Sequence, residues 1–232
     1  MSSDQHVAPE VLAKLAALST CAIANAIETF AVRMPDEGFA DSSIRCVFPR
    51  LPPVIGYAVT ASVRCSTPPA DRRRFTDRTD WWRTILNVPA PRIVVLQDTD
   101  RARGLGAFVG ATHAHVLKAL GCVAVVTDGA VRDLPDIESA GFPLFAGSVA
   151  VSHAYAHIVS FGHPVEIAKL TVRQGDLLHG DAHGVLSIPH ALAARIPPVA
   201  RELSLKDQRV IEFCRSPLFT IEELIQLVRS TP

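Results

Sequence analysis

Residues 104–136, GLGAFVGATHAHVLKALGCVAVVTDGAVRDLPD, are the stretch around which the rest of this chain is organised. The pattern predicts a glycine-rich loop, a helix of about three turns, a short buried strand and a second turn that ends in Arg132 and Asp133. Loop amides, a fixed cation and a carboxylate converge only if the chain folds back here. Such a set of groups favours a site for a small anion and a hard metal ion.

The composition is that of a soluble globular protein. Hydrophobic residues make up 48% of the 232 residues and charged residues 20%, which is ample for a core. The 23 lysines and arginines balance the 23 aspartates and glutamates, which argues against electrostatic capture of nucleic acid. We interpret the basic run at residues 72–74 as a solvated helix face, because aspartates surround it.

The same features indicate a reducing compartment and no membrane partner. Five cysteines without a CxxC pair favour reduced, buried thiols. The N-terminus is polar and no apolar run approaches the roughly 18 residues of a membrane span. We therefore expect a cytoplasmic protein that has neither a signal peptide nor a transmembrane helix.

Helices alternate with strands early in the chain, whereas the later strands follow one another. Strands are predicted at residues 54–65, 91–98, 122–128, 142–147, 166–172, 176–180 and 184–189. Helices are predicted at residues 9–18, 21–30, 71–87, 190–209 and 217–229, with Ser19 or Thr20 capping the second and Ser216 the last. We expect Trp81 and Trp82 to pin the third helix to the core, a role favoured over ligand stacking. This order favours a single α/β domain with a three-layer β/β/α arrangement over a doubly wound sheet.

The glycines of the loop first suggest a dinucleotide site, with Asp128 as the acidic ribose contact. That fingerprint places its glycines directly at the end of a strand, whereas residues 98–103 intervene here and the spacing is not GxGxxG. A carboxylate site fits better. A glycine turn at Gly110 that enters a helix leaves the amides of Ala111, Thr112 and His113 unpaired and pointing outward.

Three charged residues that follow the buried strand, Arg132, Asp133 and Asp136, belong to the same predicted site. Arg132 can grip a carboxylate with two hydrogen bonds. Asp133 is a hard oxygen ligand suited to Mg²⁺, which retains most of its waters, and Asp136 could accept hydrogen bonds from those waters. The alternative is an Arg-Asp pair at a helix start, with the aspartate acting only as a cap.

This stretch resembles the RraA-like family, which includes divalent-metal aldolases acting on 4-hydroxy-4-methyl-2-oxoglutarate and 4-carboxy-4-hydroxy-2-oxoadipate. Its members share an acidic residue, twenty residues, Arg-Asp, two residues and then Asp or Glu. The sequence GAVRDLPD at residues 129–136 matches the second half of that motif. The resemblance extends from about Ser19 to Pro189, and so covers most of the chain.

The resemblance implies a swivelling-type β/β/α fold in one domain over residues 1–232, with a core at about 19–189 and C-terminal helices at 190–232. It also implies a homotrimer, or a hexamer of trimers, whose active site lies between subunits. By position, Arg132 would bind the substrate carboxylate and Asp133 would ligate Mg²⁺ or Mn²⁺ directly. Asp136 would bind the waters of the metal, and the loop amides from Gly110 to His113 would complete the anion pocket.

This sequence departs from the family motif at the position of its acidic residue. Ala111 stands where the aldolases carry the acidic residue that holds a metal-bound water, and alanine cannot transfer a proton. His113 and His115 lie near the predicted helix start. Either could replace the acid, and His113, which is closer to the helix start, is the better candidate. The alternative is that both histidines are ordinary helix-surface residues.

Together with these residues, the resemblance implies a metal-dependent lyase acting on a small 2-oxo acid, by retro-aldol cleavage or by decarboxylation of an oxaloacetate-type substrate. One alternative is a non-catalytic regulator that binds a ribonuclease, which Ala111 favours. Another is a metal-dependent dehydratase, or other lyase, that uses His113. A further polar cluster, His179, Asp181 and His183, has the HxDxH spacing of a possible metal site. We interpret it as a turn that bonds its own backbone.

Overall fold

In the computed structural model, which describes residues 6–69 and 78–230, the chain folds around one mixed nine-stranded sheet. Its strands are β1 Arg45–Cys46, β2 Val54–Arg64, β3 Arg92–Asp98, β4 Ala107–Val109, β5 Cys122–Val131, β6 Leu144–Val149, β7 His157–Phe161, β10 Leu177–Asp181 and β11 Gly184–Ile188. A separate two-stranded ribbon consists of β8 Val165–Ile167 and β9 Leu170–Val172.

The helices flank this sheet. They are α1 Pro9–Ala16, α2 Thr20–Glu28, α3 Thr79–Leu86, α4 Ala111–Ala119, α5 Leu134–Ser139, α6 Ile196–Cys214 and α7 Ile221–Ser230. Ser19 caps α2 by accepting a hydrogen bond from the Ala22 amide at 3.1 Å, as predicted. In the described residues no single helix is long and apolar enough to cross a membrane; α1 and α2 reach that length and composition only together, as a pair bent by 111°.

The sheet follows the order β1-β6-β5-β3-β2-β10-β11. Strands β2, β3, β5 and β6 are parallel neighbours, whereas β10, β11 and β1 pair antiparallel. The short strand β4 pairs parallel with the end of β5, and β7 pairs antiparallel with the end of β2. Parallel strands joined through helices require apolar side chains on both faces, which explains the continuous β-branched runs in the sequence.

Each face of the sheet has its own apolar layer. Alternate residues of β3 show this, since Val94 and Leu96 join the larger core beneath the helices, whereas Ile93 and Val95 join a second core. The ribbon of β8 and β9 covers that second core. Helices, central sheet and ribbon are therefore three layers, and the predicted β/β/α fold class is confirmed.

The structure corrects the predicted course of residues 104–136. Residues 129–131 are not a turn, because β5 continues through them to Val131. Strand β4, which the sequence did not reveal, lies inside the predicted glycine loop. Strand β7 was also not predicted. The predicted strand at 166–172 is two strands, since Ala168 and Lys169 both take positive φ and form a tight turn.

The C-terminal helices begin later than predicted. A 3₁₀ turn occupies His190–Leu192, and α6 begins at Ile196 because its prolines are tolerated only in a first turn. The predicted cap of the last helix is wrong. Ser216 Oγ accepts from the Leu218 amide, and Thr220 Oγ1 accepts instead from the first turn of α7, at the Glu223 amide.

The predictions for the cysteines and for the third helix have mixed outcomes. The five cysteines all lie in the described residues and are free, but only Cys65 and Cys122 are buried. The basic run at 72–74 and the first part of the predicted third helix lie outside the described residues. Trp81 is fully buried in the core as predicted, whereas Trp82 is only half-buried.

Candidate functional site

The ends of two paired parallel strands position the site. Val109 in β4 lies opposite Val131 in β5, so the residues that follow these strands emerge side by side. Those residues are Gly110 and Arg132, and the Arg132 amide donates to the Val109 carbonyl at 3.1 Å. Strand pairing therefore brings the glycine that begins α4 next to the arginine and aspartate that precede α5.

Position 110 requires glycine because there is no room for a side chain, and not because of its backbone conformation. Its φ of −133° is extended backbone that any residue adopts. A Cβ at this position would lie 2.5 Å from Asp133 Oδ2 and 3.1 Å from Arg132 Nε. The absence of a side chain thus lets the aspartate and the arginine approach the start of α4.

Asp133 caps a helix, but not the one that it precedes. It has φ 57° and ψ 42°, a left-handed conformation that aspartate tolerates better than most residues. Its side chain makes no capping bond to α5, whereas Oδ2 accepts the Ala111 amide of α4 at 3.0 Å. Arg132 Nε lies 3.5 Å from the same oxygen. The other oxygen, Oδ1, has no hydrogen-bond donor in residues 6–69 and 78–230, which leaves it available.

This contact corrects the predicted anion pocket. The Ala111 amide donates to Asp133 and is not free for a ligand. In the part of the chain that the structure describes, the amides of Thr112 and His113 remain without an acceptor, as expected for the first turn of a helix. The positive end of the α4 dipole faces the same point.

A cleft of about 420 Å³ opens beside these groups, a size suited to a small ligand. Strands, α3, α4 and the loop around His153 contribute its walls. The lining residues are Arg78, Trp82, Ala107, Phe108, Gly110, Thr112, His113, Val116, Arg132, Asp133, His153 and Ala156. Gly110, Thr112, His113, Arg132 and Asp133 were predicted site residues, and the structure brings them together.

His113 lines the cleft as a neutral imidazole. Its Nδ1 lies 3.3 Å from the Phe108 carbonyl. Since a carbonyl only accepts, Nδ1 carries the proton and Nε2 carries a lone pair. Nε2 is buried without a hydrogen-bond partner in the described residues. Burial, reinforced by the positive charge of Arg78, lowers the pKa of His113 to about 4.

Two lining residues, one immediately before α3 and one within it, were not predicted for the site. The Arg78 guanidinium lies over the Phe108 ring, 4.5 Å from its centroid. Trp82, for which core packing was the favoured prediction, lines the cleft one helical turn away. Residues so distant in sequence from 104–136 carry no local motif that could have assigned them. The only signal was the adjacent pair of tryptophans.

Several predicted candidates lie elsewhere. Asp136 and His115 are exposed and do not line the cleft. Asp181 accepts the Thr20 amide that begins α2, at 2.8 Å, and the His183 amide at 2.8 Å. His179 Nδ1 contacts Thr20 Oγ1 at 3.0 Å. The cluster of His179, Asp181 and His183 therefore bonds the backbone of its own turn, as interpreted from the sequence. It also holds the start of α2, which the sequence did not indicate.

Buried carboxylates hold the loop that leads into β4. Asp98 Oδ2 accepts the Gly104 amide at 2.8 Å, and Asp128 Oδ1 accepts the Asp98 amide at 2.7 Å. Asp128 also lies 3.1 Å from Arg103 Nη1, while burial raises its pKa. These contacts commit Asp128 to the protein interior. The role of a ribose contact, rejected from the sequence, has no support here.

The donor set around Asp133 fits a hard divalent cation. In residues 6–69 and 78–230 no group of three or more His, Cys, Asp or Glu side chains could enclose an ion. A cation at Asp133 would therefore have one protein carboxylate and would take its other ligands from water and substrate. Mg²⁺ binds in this way, because it retains several waters and prefers oxygen.

Comparison with known proteins gives the family. The profile of the RraA-like family, described as Aldolase/RraA, matches residues 20–187. A protein of Halalkalibacterium halodurans, provisionally named a 4-hydroxy-4-methyl-2-oxoglutarate aldolase, is 30% identical over 92 residues. That match covers 39% of this chain and spans less than half, 44%, of the relative.

Two solved structures share the fold. An uncharacterized protein from Pseudomonas syringae pv. tomato superposes with a TM-score of 0.73 at 23% identity, over 95% of this chain and 94% of that one. RraAS2 of Streptomyces coelicolor, described as an unusual member of the RNase ES inhibitor RraA protein family, gives 0.67 at 18% identity, over 90% and 98%. With its layered fold and the profile match over most of its length, this chain belongs to the RraA-like family.

Proposed function

We propose that this protein is a divalent-metal-dependent carbon–carbon lyase acting on a small 2-oxo acid, by retro-aldol cleavage or by decarboxylation. The observation that carries this proposal is the placement of Asp133. One of its oxygens is bound by the α4 amide and the other is uncommitted, at the rim of a cleft that Arg132 shares. The aldolase name of the H. halodurans relative is consistent with it.

Different residues of the cleft bind the substrate carboxylate and the cation. Arg132 and the amides of Thr112 and His113 hold the substrate carboxylate, which fixes the 2-oxo group beside Asp133. Asp133 holds the cation, and Asp136 would bind the waters of that cation. When bound, Mg²⁺ or Mn²⁺ would polarise the 2-oxo oxygen and so stabilise the negative charge that develops as the carbon–carbon bond breaks.

His113 is proposed to move the proton in place of the acid that Ala111 lacks. In retro-aldol cleavage the substrate hydroxyl gives its proton to Nε2, the carbon–carbon bond breaks, and the hydroxyl carbon becomes a carbonyl. The bonding electrons pass to the enolate of the 2-oxo acid. The imidazolium then returns the proton to the enolate carbon.

We also propose that the protein acts as a cytoplasmic homotrimer, or as a hexamer of trimers, with the cleft between subunits. Exposed apolar side chains near the end of β6 support this assembly, since Val149 is 60% exposed and Val151 is 97% exposed. Light scattering coupled to size exclusion measures the mass directly. A monomer at micromolar concentration would contradict the assembly.

Product release tests the activity. The purified protein is incubated with oxaloacetate and with 4-hydroxy-4-methyl-2-oxoglutarate, with Mg²⁺, with Mn²⁺ and with a chelator, and pyruvate and CO₂ are measured. We expect turnover that the chelator abolishes. The lyase proposal would be refuted if neither substrate is turned over with either metal.

Ala111 favours a second candidate, a protein-binding regulator. An alanine in place of the acid removes one catalytic group without removing the surface. The S. coelicolor protein that shares the fold is described within a ribonuclease-inhibitor family. Stoichiometric co-purification of a ribonuclease, together with the absence of lyase turnover, is the result expected for this candidate.

A further inference from the structure

The last two helices lie largely outside the core. In α6, Ile196 and Ala200 are the buried residues, and both lie within its first two turns. Every later residue of α6 is exposed or half-buried, and so is every described side chain of α7, which packs against α6. We call residues 201–230 the C-terminal arm. They add nothing to the buried core of the described chain.

One face of α7 carries an exposed apolar stripe. Ile221, Ile225 and Val228 have the i, i+4, i+7 spacing that places residues on one side of a helix, and they are 53%, 43% and 55% exposed. Leu218 and Phe219, at the elbow between the two helices, are also exposed and line a groove of about 600 Å³. An amphipathic helix of ten residues is marginal unless its apolar face is covered. Within the part of the chain that the structure describes, nothing covers this stripe.

The charges beside the stripe are complementary to a second copy of the same helix. Glu222 lies in the first turn of α7 and Arg229 in the last. They are seven residues apart, close to two helical turns, so both flank the stripe on the same side. Two copies of α7 packed antiparallel, with a two-fold axis near Ile225, bring their stripes together. Each Glu222 then lies opposite the Arg229 of the other copy, and the helix dipoles also oppose each other favourably.

We propose that the C-terminal arm is a self-association surface, at which the α7 helices of two copies pack antiparallel through Ile221, Ile225 and Val228. Glu222 and Arg229 set the orientation, as charges beside an apolar seam do in coiled coils. A two-fold contact of this kind closes on two copies. It therefore doubles the mass of the assembly that the rest of the chain forms, and joins two of the proposed trimers. The inference goes beyond the proposed function, because it requires neither binding nor turnover in the cleft.

The mass of a stripe variant tests this surface. Light scattering coupled to size exclusion is measured over a dilution series, which gives the dissociation constant of the pairing. Ile225→Asp places a charge at the centre of the stripe, so we expect pairing at least about 100-fold weaker and a halved mass where the wild type is fully paired. Gln226→Asp is the matched control. It adds the same charge to the same helix at an exposed position away from the stripe, and should leave the mass unchanged.

Charge reversal distinguishes a second copy from any other partner. Glu222→Arg leaves two positive charges beside the stripe, and Arg229→Glu leaves two negative ones. Each variant alone should pair roughly tenfold more weakly than the wild type, because two attractions become two repulsions. An equimolar mixture of the two variants should regain the mass of the wild type, since every arginine then faces a glutamate of the other variant.

Two results would overturn this inference. If the wild type and Ile225→Asp have the same mass at every concentration, the stripe does not join copies of this chain. If the mixture of charge variants stays at the lower mass, antiparallel pairing is refuted and the stripe belongs to a different partner. Lyase assays on the same samples keep the two proposals apart. Lost pairing with retained turnover leaves the proposed function standing, and pairing without turnover leaves the self-association surface standing.

Discussion

Replacing Asp133 with asparagine separates the two roles that its carboxylate has in the structure. Asparagine tolerates the left-handed backbone of this position, φ 57° and ψ 42°, as well as aspartate does. Its amide oxygen can still accept the Ala111 amide, which now donates at 3.0 Å. What the substitution removes is the negative charge that would bind the cation.

The expected magnitudes differ accordingly. The Arg132–Asp133 pair spans 3.5 Å with side chains 35% and 38% exposed, so its loss costs at most about 1 kcal/mol of unfolding free energy. Asp133→Ala also loses the helix cap and the tolerance of positive φ, which together cost about 2 kcal/mol. Both variants lose the charged ligand, and we expect metal affinity and kcat/KM to fall at least about 100-fold.

Two measurements check this reasoning. Urea unfolding gives the stability of the wild type, Asp133→Asn and Asp133→Ala, and calorimetric titration with Mn²⁺ gives their metal affinity. Glu138→Gln is the comparison, since its side chain on α5 is exposed and does not line the cleft. Unchanged metal affinity in Asp133→Asn would show that Asp133 is only a cap. A destabilisation equal to that of Asp133→Ala would show that the account of the backbone is wrong.

Other predictions concern space, pH and the second polar cluster. Gly110→Ala should displace the Asp133 carboxylate, which lies 2.5 Å from the new Cβ, and so reduce kcat/KM about 100-fold. It should also lower the unfolding free energy by about 1 kcal/mol, because the Ala111 amide loses its acceptor; retained activity would contradict the steric argument. The pKa values of His113 and His179 are lowered from 6.5 to about 4. The unfolded chain therefore binds more protons between these values, and stability should fall as pH drops through this window and stay level above it. His113→Gln should reduce that slope in urea unfolding across pH 4 to 7.5, and an unchanged slope would contradict the assignment. Asp181→Asn should lower the unfolding free energy by about 1–3 kcal/mol and leave metal affinity unaltered, whereas a loss of metal affinity at full stability would place Asp181 in a metal site.

Much of the fold could be predicted because its signals are local. The β-branched runs that became β2, β3 and β5 are buried on both faces, and such runs are visible in any short window of sequence. Strand β4 could not be predicted in this way. Its three residues, Ala107–Val109, are too few to show a period, and they form a strand because they pair with the end of β5.

The same distinction between local signals and tertiary contacts applies to the candidate site. The sequence by itself determined the groups that are neighbours in the chain, namely the Gly110 helix start and the Arg132-Asp133 pair. Only the tertiary structure decided that Asp133 caps α4 across 22 residues, and that Arg78 and Trp82 enter the cleft. A sequence motif records residues that one turn or strand end holds together. Contacts between separate elements depend on strand pairing and helix packing, and no local pattern specifies these.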